Sequence, residues 1–484
     1  MEGIHWNGIY AVIAMYAVFL GVGWRAGRRV KAGSAEEMLV AGRAMPVWLA
    51  TMTMTATWVD GGYILGTAEG TFTSLASGLQ GGLCFGISLI LGGIFFAPRM
   101  RASNFTTLID PFEKKYGKRW AAVLSTPALL GEILWSAELL VAIGATFSVL
   151  LRVDLSTAII LSAAVVTLYT MLGGIWSVAY TDAIQLALIP IGLLVSLPFA
   201  LEEVGGLSAA FTKYQAALPK GMSVTPLFTQ SAWWDLSAML ILGGIPWNCY
   251  FQRVLSCQSP AKARTHSLFA GVLTILLTLP PLLLGVVAVT YWGIGNVEAP
   301  LSVPLILRDL VPEWVGILGL GAIVGAVTSS FSSSILSAGS MVSWNWYQGR
   351  HYDQMKLVIR LSIILLGGLA VVIALGVRGV QALWFLSADL VFVLLFPQLV
   401  MALFDPMANG VGSVSAFCLS LVLRLGGGEP LFGIAPFFHY PTWLPYKTLA
   451  AVLGLITIPM VSRLARVAGL AFQKLRTEKI IAPP

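Results

Sequence analysis

The stretch Met52–Glu69, MTMTATWVDGGYILGTAE, interrupts an apolar run long enough to cross a bilayer. Near the middle of that run stand an acid, Asp60, two adjacent glycines, Gly61 and Gly62, and Trp58. Glycine carries no Cβ, so an unwound turn costs little there. Backbone released from a helix at membrane depth is tolerated only where protein buries it or where it lines a wet cavity. An ionisable residue at that depth marks a functional site by default. The stretch therefore reads as a broken membrane helix whose gap binds something cationic.

Outward from this stretch the chain keeps the same solvent. Of 484 residues, 57% are hydrophobic and only 11% are charged, against roughly 25% charged in soluble domains. The partner this implies is a lipid bilayer. The net charge of +7 does not indicate nucleic acid, because the basic residues cluster in loops between apolar runs, as membrane orientation requires. Cys84, Cys249, Cys257 and Cys418 show no metal or redox spacing and read as small packing residues. The first apolar run, 7–24, has no basic stretch before it, and Arg25, Arg28, Arg29 and Lys31 follow it. It reads as an uncleaved membrane helix with the N-terminus outside.

Windows of about 20 apolar residues start near positions 7, 46, 75, 123, 156, 182, 234, 268, 315, 357, 380, 410 and 447. That predicts an all-α integral membrane protein of about thirteen transmembrane helices in one domain. The C-terminus lies inside, and Arg152, Arg378 and Arg424 are the only exceptions to the charge rule. GGIWSVAYT reads as a tight turn, so Asp182 falls at the start of the sixth span. Five spans after the broken stretch, the seventh span is interrupted in turn by Gly243-Gly244-Ile245-Pro246. Proline removes a helix donor and kinks the run. Paired interrupted helices in corresponding halves point to an inverted-repeat transporter with its sites at the midplane. Two ordinary kinked helices are the plainer alternative.

Tryptophans of membrane proteins usually sit at the interfaces. Trp58, Trp135, Trp247 and Trp384 instead fall inside spans or at the proposed breaks, and Phe85 offers a further wall. Several midplane rings suit a quaternary ammonium, which has no N–H to donate and binds ring faces at roughly 0.5–2 kcal/mol each. The competing reading is helix packing. The ninth span, GAIVGAVTSSFSSSILSAGS, is rich in small hydroxyl residues. These either let helices pack closely or, through Ser329 and Ser330, join carbonyls freed by the broken span in a sodium site, since hard cations prefer oxygen ligands. Both readings stand at this point. Among the acids within spans, Asp60 and Asp182 read as ion-coupling residues, with pairing to Arg253 as the structural alternative, and Glu132 and Asp389 read as structural. The four histidines lie in loops or near span ends, and no nucleophile, phosphate or zinc motif appears. The chain does not read as an enzyme.

TMTATWVDGGYILGTAE, YGKRW with PALLGEILW, LYTMLGGIWSVAYTDAIQ, LGGIPWNCYFQRVLS, SSILSAGSM, LWFLSADLVF and RLGGGEP resemble the choline-transporting branch of the sodium/solute symporter family, over nearly the whole chain. The resemblance implies a LeuT-type five-plus-five inverted repeat with a discontinuous first helix in each repeat. One helix (7–24) would precede the repeats, which would span 46–203 and 231–404, and two helices (408–466) would follow. It implies sodium-coupled import of choline across the cell membrane, with the ammonium group among Trp58, Phe85, Trp135, Trp247 and Trp384. It implies a sodium site formed by Ala56, Val59, Ala326, Ser329 and Ser330, and leaves chloride open as a further ion. Asp182 matches the acid that serves a second cation in some members. No obligatory protein partner is implied.

Three positions depart from the animal choline-transporting members. Phe85 stands for a tyrosine, Asp60 for a glycine and Ser332 for an aspartate. The expectation is that a carboxylate has moved from position 332 to position 60 across the sodium site, its charge kept. Rival substrates are betaine, carnitine and proline, and the rival class is a membrane sensor or channel.

Overall fold

The computed structural model describes residues 6–27, 35–170, 175–218, 230–347, 352–377 and 379–481. Arg28, Arg29, Lys31, Arg378 and the Gly173-Gly174 pair lie outside them. The described chain is helical, and its polarity is turned inside out relative to a soluble protein. Val372 is 69% exposed and Leu168 66%, while Asp60, Glu132, Glu138, Asp182 and Arg253 are at most 1% exposed. Apolar side chains outside and ionisable groups inside are the arrangement that lipid imposes.

In chain order the helices are α1 (Trp6–Gly27), α2 (Val47–Trp58), α3 (Gly61–Thr71), α4 (Leu75–Ala102), α5 (Asp110–Tyr116), α6 (Lys118–Leu151), α7 (Leu155–Thr170), α8 (Ile175–Glu203) and α9 (Leu207–Ala217). They continue with α10 (Ser231–Gly243), α11 (Asn248–Ser256), α12 (Pro260–Trp292), α13 (Ser302–Asp309), α14 (Glu313–Tyr347), α15 (Tyr352–Gly376), α16 (Val380–Phe404), α17 (Gly410–Gly426) and α18 (Tyr446–Ile481). Nine helices among the described residues are long and apolar enough to cross a membrane, and α7 and α17 are shorter apolar ones. The two interrupted spans appear as the pairs α2/α3 and α10/α11. An interrupted pair followed by four apolar helices thus occurs twice.

Each break is held by a side chain that replaces a missing backbone partner. Val59 leaves the helical region at φ −92°, ψ 71°, and Asp60 is extended at the start of α3. The first N–H groups of a helix have no partner within it. The Asp60 carboxylate accepts one of them, from Tyr63 N at 2.6 Å, as an N-cap. At the second break Pro246 has no N–H to give, and the Trp247 indole donates to the carbonyl of Gly243 at 2.8 Å. Asn248 then ties the start of α11 to α14, donating to the carbonyl of Ser337 and the hydroxyl of Ser340 at 3.1 and 3.0 Å.

One expectation needs correction. GGIWSVAYT is not a turn through its described part: Ile175–Thr181 is the first stretch of α8. Asp182 therefore lies two turns inside a helix rather than at the start of a span. Arg424, an exception to the charge rule, is buried. It pairs with Asp389 at 2.7 Å and Glu429 at 2.5 Å, and Lys447 reaches the same Asp389 oxygen at 2.7 Å. A paired buried cation says nothing about which side of the membrane it faces.

Candidate functional site

The two breaks meet at an aromatic cavity. Trp58 ends α2, Phe85 comes from α4, Trp135 from α6, Trp247 from the second break and Trp384 from α16. These five side chains line one cavity together with Asp60 and Ser387. Trp58 lies 6.0 Å from Trp135, 6.4 Å from Phe85 and 6.5 Å from Trp247, centroid to centroid and near edge-to-face. Trp135 and Trp247 are 5.5 Å apart, and Phe85 and Trp384 are 5.2 Å apart. The space between the lining atoms, open solvent included, comes to about 300 Å³, and the rings fill most of the cavity themselves.

Rings in this density need small neighbours. A Cβ at Gly81 would lie 2.3 Å from the Trp384 ring. Gly81→Ala should push that indole towards the cavity, lowering the apparent affinity for substrate at least about tenfold (~1.4 kcal/mol). The check is substrate binding to purified protein; an unchanged affinity would contradict the packing.

Asp60 is where geometry and expectation diverge. Its carboxylate faces the rings: Trp135 Nε1 donates to Oδ2 at 2.6 Å, while Oδ1 caps α3. Ser332 is elsewhere, its hydroxyl 3.1 Å from that of Thr170 on α7. A carboxylate transferred across one sodium site does not describe these two positions. The acid belongs to the wall of the aromatic cavity. Ser387, which sequence reasoning missed, stands one helical turn beyond Trp384, and that spacing was the available signal. The Trp58 indole N–H is buried without a protein acceptor.

A second group of oxygens lies below Trp58. The break leaves the last carbonyls of α2 without helix partners. Ser330 Oγ donates to the carbonyls of Ala56 and Thr57 at 3.2 and 3.1 Å, and Ser329 Oγ lies 3.4 Å from the carbonyl of Ala56. Ala326 precedes these serines by one turn on the same face of α14, and Ala326 and Val59 are fully buried. Hydroxyl and carbonyl oxygens are the donor set a hard monovalent cation takes, so the residues present fit sodium.

Asp182 adjoins this group but is already partnered. Ser329 donates to its Oδ1 at 2.7 Å and Thr53 to its Oδ2 at 2.5 Å, and Arg253 Nη2 lies 3.5 Å from Oδ2. Arg253 also donates to Ser333 at 2.5 Å. The pair weighed from sequence as the structural alternative is thus present. Glu132 has the structural setting expected, accepting from Ser334 and Ser337 at 2.8 and 2.5 Å.

Known proteins resemble the chain throughout. The model of the sodium:solute symporter family matches residues 38–419. High-affinity choline transporter 1 of Caenorhabditis elegans is 40% identical over 491 residues, covering 94% of this chain and 84% of that one. The high affinity choline transporter 1 of Homo sapiens is 39% identical over 500 residues, covering 96% and 86%. Among solved structures, a substrate-bound, outward-open sodium-coupled sialic acid symporter has a TM-score of 0.78 at 19% identity, covering 94% of this chain and 97% of its own.

Proposed function

This chain belongs to the sodium:solute symporter family, and from that premise we propose that it imports choline by alternating access, driven by the sodium gradient. It is a multi-pass membrane transporter with a LeuT-type fold, and not an enzyme. The observation that carries the choline reading is the cavity of four indoles and one phenyl ring with a carboxylate in its wall. Trp58, Phe85, Trp135, Trp247 and Trp384 offer ring faces to a trimethylammonium group, which cannot donate a hydrogen bond. Asp60 supplies the opposite charge, and the unpartnered indole N–H of Trp58 can be accepted by choline's hydroxyl oxygen. Betaine and carnitine would bring a second carboxylate towards Asp60, and like charges at close range in a dry site repel. Proline carries the same liability.

Sodium, in this reading, is held by the carbonyls of Ala56, Val59 and Ala326 and the hydroxyls of Ser329 and Ser330. Bound there, it joins the freed end of α2 to α14 and so completes the floor under Trp58. Asp182 serves as a second coupling acid only if Arg253 releases it, and Ser332 has no direct part. With each interrupted pair counted as one span, the helices come to about thirteen. They form repeats over 46–203 and 231–404, with the N-terminus outside and the C-terminus in the cytoplasm. Voltage contributes about 2.3 kcal/mol per charge at 100 mV.

Ser330→Ala removes one neutral oxygen ligand, worth about 1–1.5 kcal/mol. It should raise the sodium concentration for half-maximal uptake about tenfold while leaving choline binding at saturating sodium nearly unchanged. The function itself is tested by competing sodium-dependent uptake in proteoliposomes with choline, betaine, carnitine and proline in turn, with a parallel series in which gluconate replaces chloride. Choline should compete best; better competition by a zwitterion would overturn the reading, and loss of uptake in gluconate would add chloride to the coupled ions.

A further inference from the structure

Glu138 lies one turn along α6 from Trp135 and has been given no role. Its side chain packs against the first turn of α3, where a Cβ on Gly62 would sit 1.5 Å from Oε1. The carboxyl group is fully buried, and neither oxygen has a hydrogen-bond partner. Glu132, two turns back on the same helix, is held by two serine hydroxyls and contrasts with it.

Among the described residues, no cation faces this group. The charges that bear on it are Asp60 and Glu69, both acids on or beside α3. α14 brings Val327 to the start of α3, and α16 brings Trp384 to Gly66. Asp389 on α16 is engaged by Arg424 and Lys447. α7 carries no charged residue, and those of α15, Asp353, Lys356 and Arg360, all lie in its first nine residues. Arg308, on the α13 segment that packs over α3 and α6, is tied to Asp309 at 2.6 Å.

An isolated carboxylate in such a place costs far more than folding can supply, and the group neutralises instead. A metal ion would need several oxygens around it, and no hydroxyl is bonded to Glu138. We propose that Glu138 is a proton-binding site: the closed protein holds one proton there, and uptake requires it. The proton comes from water and sits on the carboxyl oxygen against Gly62. When it leaves, an unpaired charge remains beside Asp60 and the α3–α6 contact weakens.

The inference uses the transport reading only for one of its assays. In proteoliposomes, sodium-driven choline uptake by the wild type should fall about tenfold from mildly acidic to alkaline medium, whereas Glu138→Gln, which mimics the neutral acid, should stay level. The unfolding temperature of the purified protein is read alongside and needs no substrate. Because the folded state holds the proton and the unfolded state does not, the wild type should lose stability as pH rises. Glu138→Gln should lose less. Coincident pH profiles of unfolding for the two proteins would overturn the proposal. So would a raised sodium requirement in Glu138→Gln, which would make the group a metal ligand. If the unfolding profiles differ as expected but neither protein takes up choline, the proton site stands and the choline reading falls.

Discussion

Trp135→Ala should abolish measurable choline uptake while leaving the protein folded. Two losses add at this position. One ring face leaves the cavity, worth roughly 0.5–2 kcal/mol. The donor to Asp60 Oδ2 goes as well, stranding a buried carboxylate oxygen at a cost of about 1.5–3 kcal/mol. Together they amount to about 2–5 kcal/mol, a loss of some thirty- to several-thousandfold in affinity. Trp135→Phe separates the parts, since it keeps a ring and removes the N–H. Its choline affinity, measured on purified protein, should fall between those of the wild type and the alanine variant. Equal affinities for wild type and Trp135→Ala would show that the indole does not touch the substrate.

Arg253→Met should destabilise the protein by about 3–5 kcal/mol, because it leaves Asp182 as an uncompensated buried charge. Both side chains are fully buried. Asp182→Asn in the same background should restore most of the loss, since the neutral pair no longer buries a charge. A double-mutant cycle of unfolding in detergent measures the coupling. If the double variant is as unstable as Arg253→Met alone, the ion pair is not what holds α8 to α11. The cycle also bears on transport. Should Asp182 serve a second cation, Arg253→Met would free it, and the sodium dependence of uptake would become steeper.

The broken second span was legible because an acid and two glycines cannot sit in a lipid-facing helix without reason. The convergence of Trp58, Trp135, Trp247 and Trp384 was legible for a similar cause, since tryptophan away from the interface needs an explanation. The direction of Asp60 was not. Its carboxylate takes the indole N–H of a residue 75 positions later, and only the register of α6 against α3 decides whether it faces the rings or the oxygens around Ser329 and Ser330. Glu132 and Glu138 are both acids of α6, and no sequence signal separates them. The difference between them is that α14 offers serines to one and α3 offers a glycine to the other. The start of α8 was misread because Gly173-Gly174 signals a turn locally, while the residues that follow pack as helix. Arg424 stood outside the charge rule, and its pairing with Asp389 and Glu429 in the core gives the reason, which a charge count does not reveal.

The sodium gradient should concentrate choline through the aromatic cavity. The most direct test is accumulation of radiolabelled choline by proteoliposomes under an inward sodium gradient, with the wild type beside Trp58→Ala. The wild type should raise internal choline above the external level and lose that capacity when the gradient is collapsed, and Trp58→Ala should not accumulate. Equilibration without accumulation, or accumulation that persists in Trp58→Ala, would contradict it.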